Sequence, residues 1–197
     1  VCDFGVDVYD MVRTPFGFAL CGTFGTSKSD QTSLSFGEVQ MINPGDEEGG
    51  ITVADMFVAG FDESGTCLWG RNGGSLYFDA TAYHLACDAL GNVVVSGEFY
   101  DELITDDAAF TVSAPGEEGN VDYFLAGISS SGTWLWLSAM NNEEGGFEFT
   151  QVHNAPNGSV VFGGILPASG HTFGTVQLNS SIGQEGFLAE LNPSTGS

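Results

Sequence analysis

The feature that most constrains the fold is an internal repeat with an offset of 67 residues, the separation between Asp55 and Asp122. Segment 55–69 returns as 122–136, with aspartate, phenylalanine, alanine, glycine and tryptophan at matching positions. Upstream, segment 91–99 returns as 158–166 at the same offset. A third copy of the first segment begins at Gly186 and stops before any tryptophan. Self-similarity at a fixed period is typical of repeat architectures, in which each copy is one supersecondary unit.

Each repeat contains four short segments rich in Val, Phe, Tyr, Trp and Leu, separated by Gly, Asn, Asp and Ser, which is the pattern of strands and tight turns. Glycine ends the polar stretches 62–65, 129–132 and 155–158, where hairpin loops commonly require a positive φ. No stretch of ten residues has helical periodicity, and 29 glycines disfavour helices, so none is predicted. The predicted strands lie near 7–13, 17–24, 55–62 and 66–72 in the first repeat, and near 81–87, 92–99, 122–129 and 133–140 in the second.

The segments between the second and third strands of each repeat, roughly 25–54, 100–121 and 167–185, are predicted to be long, irregular loops. They differ in length and composition from one repeat to the next. Binding and catalytic residues are concentrated on loops that a rigid scaffold positions, so a local function would lie there.

The strands carry apolar residues on both faces, as Val93, Val94 and Val95 illustrate. A sheet of this kind must be covered on both sides, and radial stacking of similar sheets achieves this. Trp69 and Trp136 are then predicted to lie between adjacent sheets. We therefore predict an all-β fold of three four-stranded antiparallel blades of a β-propeller. A two-sheet β-sandwich is the alternative, but it does not explain the repeat.

The predicted organisation is a single domain over residues 1–197. Its three repeats span approximately 7–75, 80–142 and 147–197, and the third lacks its last strand. Because propellers typically carry four to eight blades, three blades leave two open faces. The expected partners are therefore further copies of the chain or neighbouring repeats, which associate through blade edges.

The repeat units resemble the β-propeller repeats of the SBBP type, which occur in large secreted and surface proteins, chiefly of bacteria. The best match is 55–74, where the family pattern is present as Asp55, a Phe-Val-Ala run, an Asp-x-Ser-Gly turn, Trp69 and a Gly-Gly pair. The second copy has Ser129 in place of the turn aspartate and two asparagines in place of Gly-Gly. The resemblance covers nearly the whole chain and implies a secreted, extracellular or cell-surface location.

The charge balance excludes several partner classes. Lysine and arginine total 3 against 26 acidic residues, which gives a formal charge of −23. Nucleic acid is not expected as a partner, because its phosphates are bound largely by cationic side chains. Anionic membrane surfaces are disfavoured for the same reason, and no apolar run has the roughly 18–20 residues of a membrane-spanning helix.

Two acidic, glycine-rich segments precede the third strand of the first and second repeats. Clustered carboxylates on such loops could supply the oxygen ligands that Ca²⁺ prefers, although they lack EF-hand spacing. A solvated turn is the competing interpretation. Calcium is the one candidate cofactor that the sequence suggests, and its candidate ligands are Asp46, Glu47, Glu48, Glu117 and Glu118.

No catalytic constellation is recognisable. His84, His153 and His171 occupy unrelated positions in the repeats, and the sequence has no nucleophile elbow or phosphate-binding loop. The sequence has an even number of cysteines, Cys2, Cys21, Cys67 and Cys87, which could form one or two disulfides or remain buried thiols.

The predicted function is an extracellular structural or adhesive surface module, or a filament-forming one, without catalytic activity. The alternative is a calcium-assisted, lectin-like propeller in which Trp134, Tyr77, Tyr83 or Tyr123 stacks on sugars. A hydrolase whose site lies in the long loops is a third possibility.

Overall fold

The computed structural model describes residues 5–25, 33–42, 53–75, 78–114, 121–140, 148–155, 157–166, 171–173, 176–180 and 185–197. Over these residues the fold is all-β, with antiparallel pairing throughout and no helix. It follows that the described part of the chain contains no helix that could cross a membrane.

The strands follow the repeat. The first repeat contains β1 (Val6–Thr14), β2 (Gly17–Phe24), β3 (Ser33–Phe36), β4 (Val39–Ile42), β5 (Asp55–Asp62) and β6 (Cys67–Gly74). The second contains β7 (Ala80–Cys87), β8 (Val93–Tyr100), β9 (Glu102–Thr105), β10 (Thr111–Ser113), β11 (Val121–Ile128) and β12 (Trp134–Ala139). The third contains β13 (Glu148–Asn154), β14 (Val160–Leu166), β15 (His171–Phe173), β16 (Val176–Leu178) and β17 (Glu185–Leu191).

Each repeat forms one principal sheet. Sheet one has the order β1-β2-β5-β6 and is extended to six strands by β9 and β10 of the second repeat, sheet two has β7-β8-β11-β12, and sheet three has β13-β14-β17. The prediction of four strands in every blade is therefore met only by sheet two. The eight strands predicted for the first two repeats are all confirmed, with ends that differ by one or two residues. Each predicted turn glycine has a positive φ, namely Gly65 at 85°, Gly132 at 82° and Gly158 at 84°.

The prediction of irregular loops is wrong in one respect, because each loop contains a two-stranded hairpin. These hairpins are β3–β4, β9–β10 and β15–β16, with strands of only three or four residues. In the first, Gly37 makes the turn at a φ of 65°, and Leu34 and Met41 pair and point into the core. Strands this short contain too few alternating positions to produce a recognisable period in the sequence.

The principal sheets stack face to face in chain order. One face of sheet two, with Val95, Phe99 and Phe124, packs on Ala19 and Val58 of sheet one. The opposite face of sheet two, including Val94 and Leu125, packs on sheet three. Sheet two is therefore buried on both sides, which explains why its strands are apolar at consecutive positions.

The stack is narrow at one edge and wide at the other. The first strands of the three sheets, β1, β7 and β13, contact one another in turn. At the opposite edge, hairpin β9–β10 lies between the fourth strands: β9 pairs with β6 through Gly73 and Gly74, and β10 contacts β12. Hairpin β9–β10 thus lies between sheets one and two at the edge formed by their fourth strands, while their first strands are in direct contact.

The interface between sheets one and two is predicted to supply a large share of the stability. Phe124→Ala removes a fully buried ring, so it should lower the free energy of unfolding by about 3–5 kcal/mol, as measured by denaturant titration. Leu90→Ala, at a side chain that is 70% exposed, is the control and should change it by less than about 0.5 kcal/mol. Equal effects would contradict the assignment of the core.

Candidate functional site

The most distinctive site is a contact that recurs between consecutive sheets, which we call the tryptophan contact. In each case a tryptophan on the fourth strand of one sheet lies on a turn of the next sheet, the acceptor turn. The indole nitrogen of Trp69 on β6 donates a hydrogen bond to the carbonyl oxygen of Ser130 at 3.2 Å, and that of Trp136 on β12 donates to Pro193 at 2.7 Å. Both tryptophans lie between consecutive sheets, as the sequence predicted.

The acceptor turns are defined by residues 129–132 in sheet two and 192–196 in sheet three. Each turn is closed by a backbone hydrogen bond that its glycine donates, from Gly132 N to Ser129 O at 2.9 Å and from Gly196 N to Asn192 O at 2.9 Å. A Cβ atom on Gly132 would lie 2.6 Å from Cγ of Trp69, and one on Gly196 would lie 2.7 Å from Cδ2 of Trp136. The glycines therefore serve two purposes: they adopt a positive φ, and they let the indole approach the backbone.

Each indole also lies over a glycine of its own sheet. A methyl group on Gly60 would overlap the ring of Trp69, and one on Gly127 would overlap the ring of Trp136. The ring thus fits between the two sheets because the glycines that face it, one in each sheet, have no side chain. Gly60 and Gly127 occupy the same position in consecutive repeats. The repeat of these glycines is visible in the sequence, but their contact with the tryptophans is not.

A cationic side chain completes the first of these contacts. Arg71 lies two residues after Trp69 on β6, and its Nε donates to the carbonyl oxygen of Gly132. Its Nη1 lies 3.2 Å from Oδ2 of Asp106, a residue that follows β9, and the Arg71 side chain is about one-third exposed. The other oxygen of Asp106 accepts a hydrogen bond from Nε1 of Trp134 at 2.6 Å. One carboxylate of hairpin β9–β10 therefore links the fourth strands of sheets one and two, and Arg71 extends this link to the acceptor turn.

A second feature is a buried carboxyl group at Asp55, which opens β5. The residue is 0% exposed, and neither carboxyl oxygen has a hydrogen-bond partner among the described residues. Burial, and secondarily the negative charge of Asp79, raise the pKa of Asp55 to about 8. Gly74 lies directly against this carboxyl, since a Cβ there would meet Oδ1 of Asp55. The aspartate and the Gly-Gly pair of the repeat pattern are thus in contact.

The predicted calcium ligands Asp46, Glu47, Glu48, Glu117 and Glu118 all lie outside the described residues. Calcium binding at those loops therefore stays a prediction. Within the described part of the chain, no group of three or more His, Cys, Asp or Glu side chains is arranged to hold a metal ion.

The described cysteines form no disulfide with one another: Cys21, Cys67 and Cys87 are free thiols, and Cys2 lies outside the described residues. Burial raises the pKa of each of the three, with that of Cys87 raised to about 11 with a further contribution from Asp88. Thiols with raised pKa values are poor nucleophiles at neutral pH, because the thiolate is the reactive form.

The remaining candidates do not form one group. Trp134 is only 3% exposed, and Tyr83 is half-buried, with its hydroxyl donating to Oε1 of Glu98 at 2.6 Å. His84 is half-buried, and its pKa is lowered by burial and, to a lesser extent, by the nearby charge of His153 on β13. The rings of Tyr83 and His84 lie 6.3 Å apart, so these three side chains are neighbours, whereas Trp134 lies on the fourth strand of sheet two.

No protein-family model matches the chain, and no curated protein matches it either. The resemblance to SBBP-type repeats therefore remains a prediction from the residues quoted above.

The tryptophan contact predicts that alanine substitution destabilises the protein more at Gly132 than at Gly65, although the two glycines have the same backbone geometry. Gly132→Ala and Gly65→Ala both place a Cβ at a φ near +80°, which costs roughly 1–2 kcal/mol. Only Gly132→Ala also displaces an indole, so it should destabilise the protein by about 1–3 kcal/mol more than Gly65→Ala. Thermal and denaturant unfolding measure the difference. Equal losses for the two variants would show that the indole contributes no packing at the turn.

The buried carboxyl predicts a pH dependence of defined sign. The pKa of Asp55 is about 8 in the folded chain and has its ordinary value of 3.8 when unfolded, so the folded state binds more protons between these values. Stability should therefore fall as pH rises from about 4 to about 8, by up to about 1.4 kcal/mol per pH unit. Asp55→Asn should flatten this decline in melts at pH 5, 6, 7 and 8. Asp7→Asn makes the same substitution at an exposed position and should leave the slope unchanged.

Proposed function

We propose that the chain forms three consecutive blades of a β-propeller and serves as an extracellular structural or adhesive module that associates with further repeats. The observation that carries the proposal is that the three sheets differ in how many like sheets they contact. Sheet two has a like sheet on each face, whereas sheets one and three each have only one principal sheet as a neighbour among the described residues. Stacking of further similar sheets would complete the arrangement.

The different spacing of successive sheets at their first and fourth strands supports a propeller in preference to a flat stack. Successive sheets in a propeller converge on a central axis at their first strands and diverge at their fourth. The contacts among β1, β7 and β13 fit that arrangement, as does hairpin β9–β10, which is inserted between the fourth strands of sheets one and two. Repetition of the tryptophan contact between both pairs of sheets supports a constant rotation from one sheet to the next.

Exposed apolar side chains on the outermost sheets support association. On sheet one, Val8 and Met11 pair with Gly22 and Leu20 on the face that points away from sheet two, and they are 53% and 63% exposed. On sheet three, Leu188 is 77% exposed. Apolar surface of this kind at the two ends of a stack is typical of interaction sites.

A binding or structural role fits the described chemistry better than catalysis does. Among the described residues, no group of three or more His, Cys, Asp or Glu side chains is arranged to hold a metal ion, and the described thiols have raised pKa values. The formal charge of −23 supports a soluble, acidic surface. The glycan-binding alternative has less support, because Trp134 is buried and the Tyr83 hydroxyl is engaged by Glu98.

The test of this proposal is self-association. If sheet one of one copy packs on sheet three of another, the contact is heterologous and head-to-tail, so assemblies should grow with protein concentration. Sedimentation velocity and light scattering are run in about 0.15 M salt and in about 1 M salt, where the Debye length shortens to ~3 Å and the repulsion between acidic chains is screened. We expect concentration-dependent oligomers that are favoured by salt.

Met11→Glu places a charge on the open face of sheet one and should reduce assembly, whereas Leu90→Glu adds the same charge at an exposed turn and should not. A wild-type protein that stays monomeric at every concentration in both salts would overturn the proposed association. Equal effects of the two variants would show that the open face is not the contact.

A further inference from the structure

We propose that the turn at 62–65 in sheet one is an open acceptor turn for the tryptophan-bearing fourth strand of a further repeat. The partner is defined by its chemistry: an extended segment with a tryptophan followed two residues later by a cationic side chain. The proposal rests on the proposed function, since it requires a further repeat to stack on sheet one.

The acceptor turns of sheets two and three show which atom receives the indole. In both, the carbonyl oxygen of the second turn residue accepts the hydrogen bond, at Ser130 and at Pro193. The turn of sheet one is of the same kind, with Gly65 N donating to Asp62 O at 3.1 Å. Its second residue is Glu63, whose carbonyl oxygen is therefore the acceptor that we assign.

The backbone at Gly65 is open where the backbone at Gly132 is covered. The two glycines are one repeat offset apart and have φ values of 85° and 82°. A Cβ on Gly132 would meet Trp69, but a Cβ on Gly65 would have no described atom within 4 Å. The backbone at Gly65 in sheet one is thus exposed to solvent, whereas the matching backbone at Gly132 in sheet two is covered by an indole.

This open surface is part of a pocket of about 420 Å³ between the turn and hairpin β3–β4. Phe61, Gly65 and Cys67 line it from sheet one, and Phe36 and Glu38 line it from the hairpin. At the matching place on sheet two, Trp69 and Arg71 lie between the acceptor turn and the end of β9. The pocket therefore has the position that a fourth strand occupies one repeat later.

The charge of the pocket fits a cation two residues after the tryptophan. Arg71 contacts the carbonyl oxygen of Gly132 and the carboxylate of Asp106, which follows β9. The corresponding groups of the first repeat are the carbonyl of Gly65 and the carboxylate of Glu38, which follows β3 in the hairpin turn. In a strand with the order Trp-x-Arg or Trp-x-Lys, the cationic side chain would donate hydrogen bonds to this carbonyl oxygen and to this carboxylate.

The experiment uses the full chain and a fluorescein-labelled peptide of residues 65–75, in which Cys67 is replaced by serine to prevent disulfide exchange. This peptide carries Trp69, Arg71 and the Gly-Gly pair. Binding is followed by fluorescence anisotropy up to millimolar protein. We expect saturable 1:1 binding, and we expect the Trp69→Ala peptide to bind about tenfold more weakly or worse. The Arg71→Gln peptide should show a smaller loss.

Two charge-reversed proteins locate the site. Glu38→Lys should weaken peptide binding several-fold, because it places a cation where the peptide arginine is expected. Glu190→Lys makes the same charge change on sheet three and should bind the peptide like the wild type. Unfolding midpoints of both proteins, compared with that of the wild type, establish that each is folded.

Absence of saturation at millimolar protein, equal binding of the Trp69→Ala peptide, or equal effects of the two protein variants would each overturn the assignment. The outcome is independent of the self-association test. Oligomers without peptide binding would retain the stacking proposal and remove the acceptor turn, whereas peptide binding by a monomeric protein would retain the acceptor turn and remove self-assembly.

Discussion

The structure depends on covering sheets that are apolar on both faces. Sheet two illustrates the constraint, since Val93, Val94 and Val95 are consecutive and all 0% exposed. Such a strand cannot place one side in water, so it requires an apolar neighbour on each face. Sheets one and three provide these neighbours. On the outer face of sheet one, hairpin β3–β4 covers Phe57 but leaves Met11 63% exposed, and exposed apolar side chains of this kind are the physical basis for the proposed stacking on further repeats.

The tryptophan contact sets how the sheets meet. An indole is large and rigid, and it carries one hydrogen-bond donor that needs a partner when buried. The acceptor turn supplies a carbonyl oxygen, and glycines in both sheets remove the side chains that would keep the ring out. Because the contact joins the fourth strand of one sheet to a turn of the next, it fixes their relative placement at the wide edge. The first strands fix it at the narrow edge.

The acidic character of the chain has different consequences inside the protein and on its surface. Exposed carboxylates carry the net charge and remain solvated. Asp55 is buried without a hydrogen-bond partner among the described residues, and its pKa is raised to about 8. Asp62, in contrast, is partly exposed and caps its own turn, where hydrogen bonds from Ser64 and Thr66 lower its pKa. One repeat thus contains two aspartates whose pKa values are shifted in opposite directions, because one is buried near a second carboxylate and the other accepts several hydrogen bonds.

The sequence by itself determined the repeat, the eight strands of the first two sheets, the turn glycines and the position of Trp69 and Trp136 between sheets, because each of these follows from local patterning. It did not reveal the hairpins, whose strands are too short to show a period, and it left open the pairing of the cysteines. The acceptor turns, the glycines beneath the indoles, the link from Arg71 to Asp106 and the isolation of the Asp55 carboxyl were decided only by the tertiary structure. The physical reason is that the acceptor turns, the Arg71 link and the surroundings of Asp55 depend on atoms from different sheets or distant strands, whose distances are set when the sheets stack. The glycine beneath each indole is instead its partner on the neighbouring strand, so it depends on the pairing register and on the bulge beside it. Neither kind of contact has a signature in the order of residues along the chain.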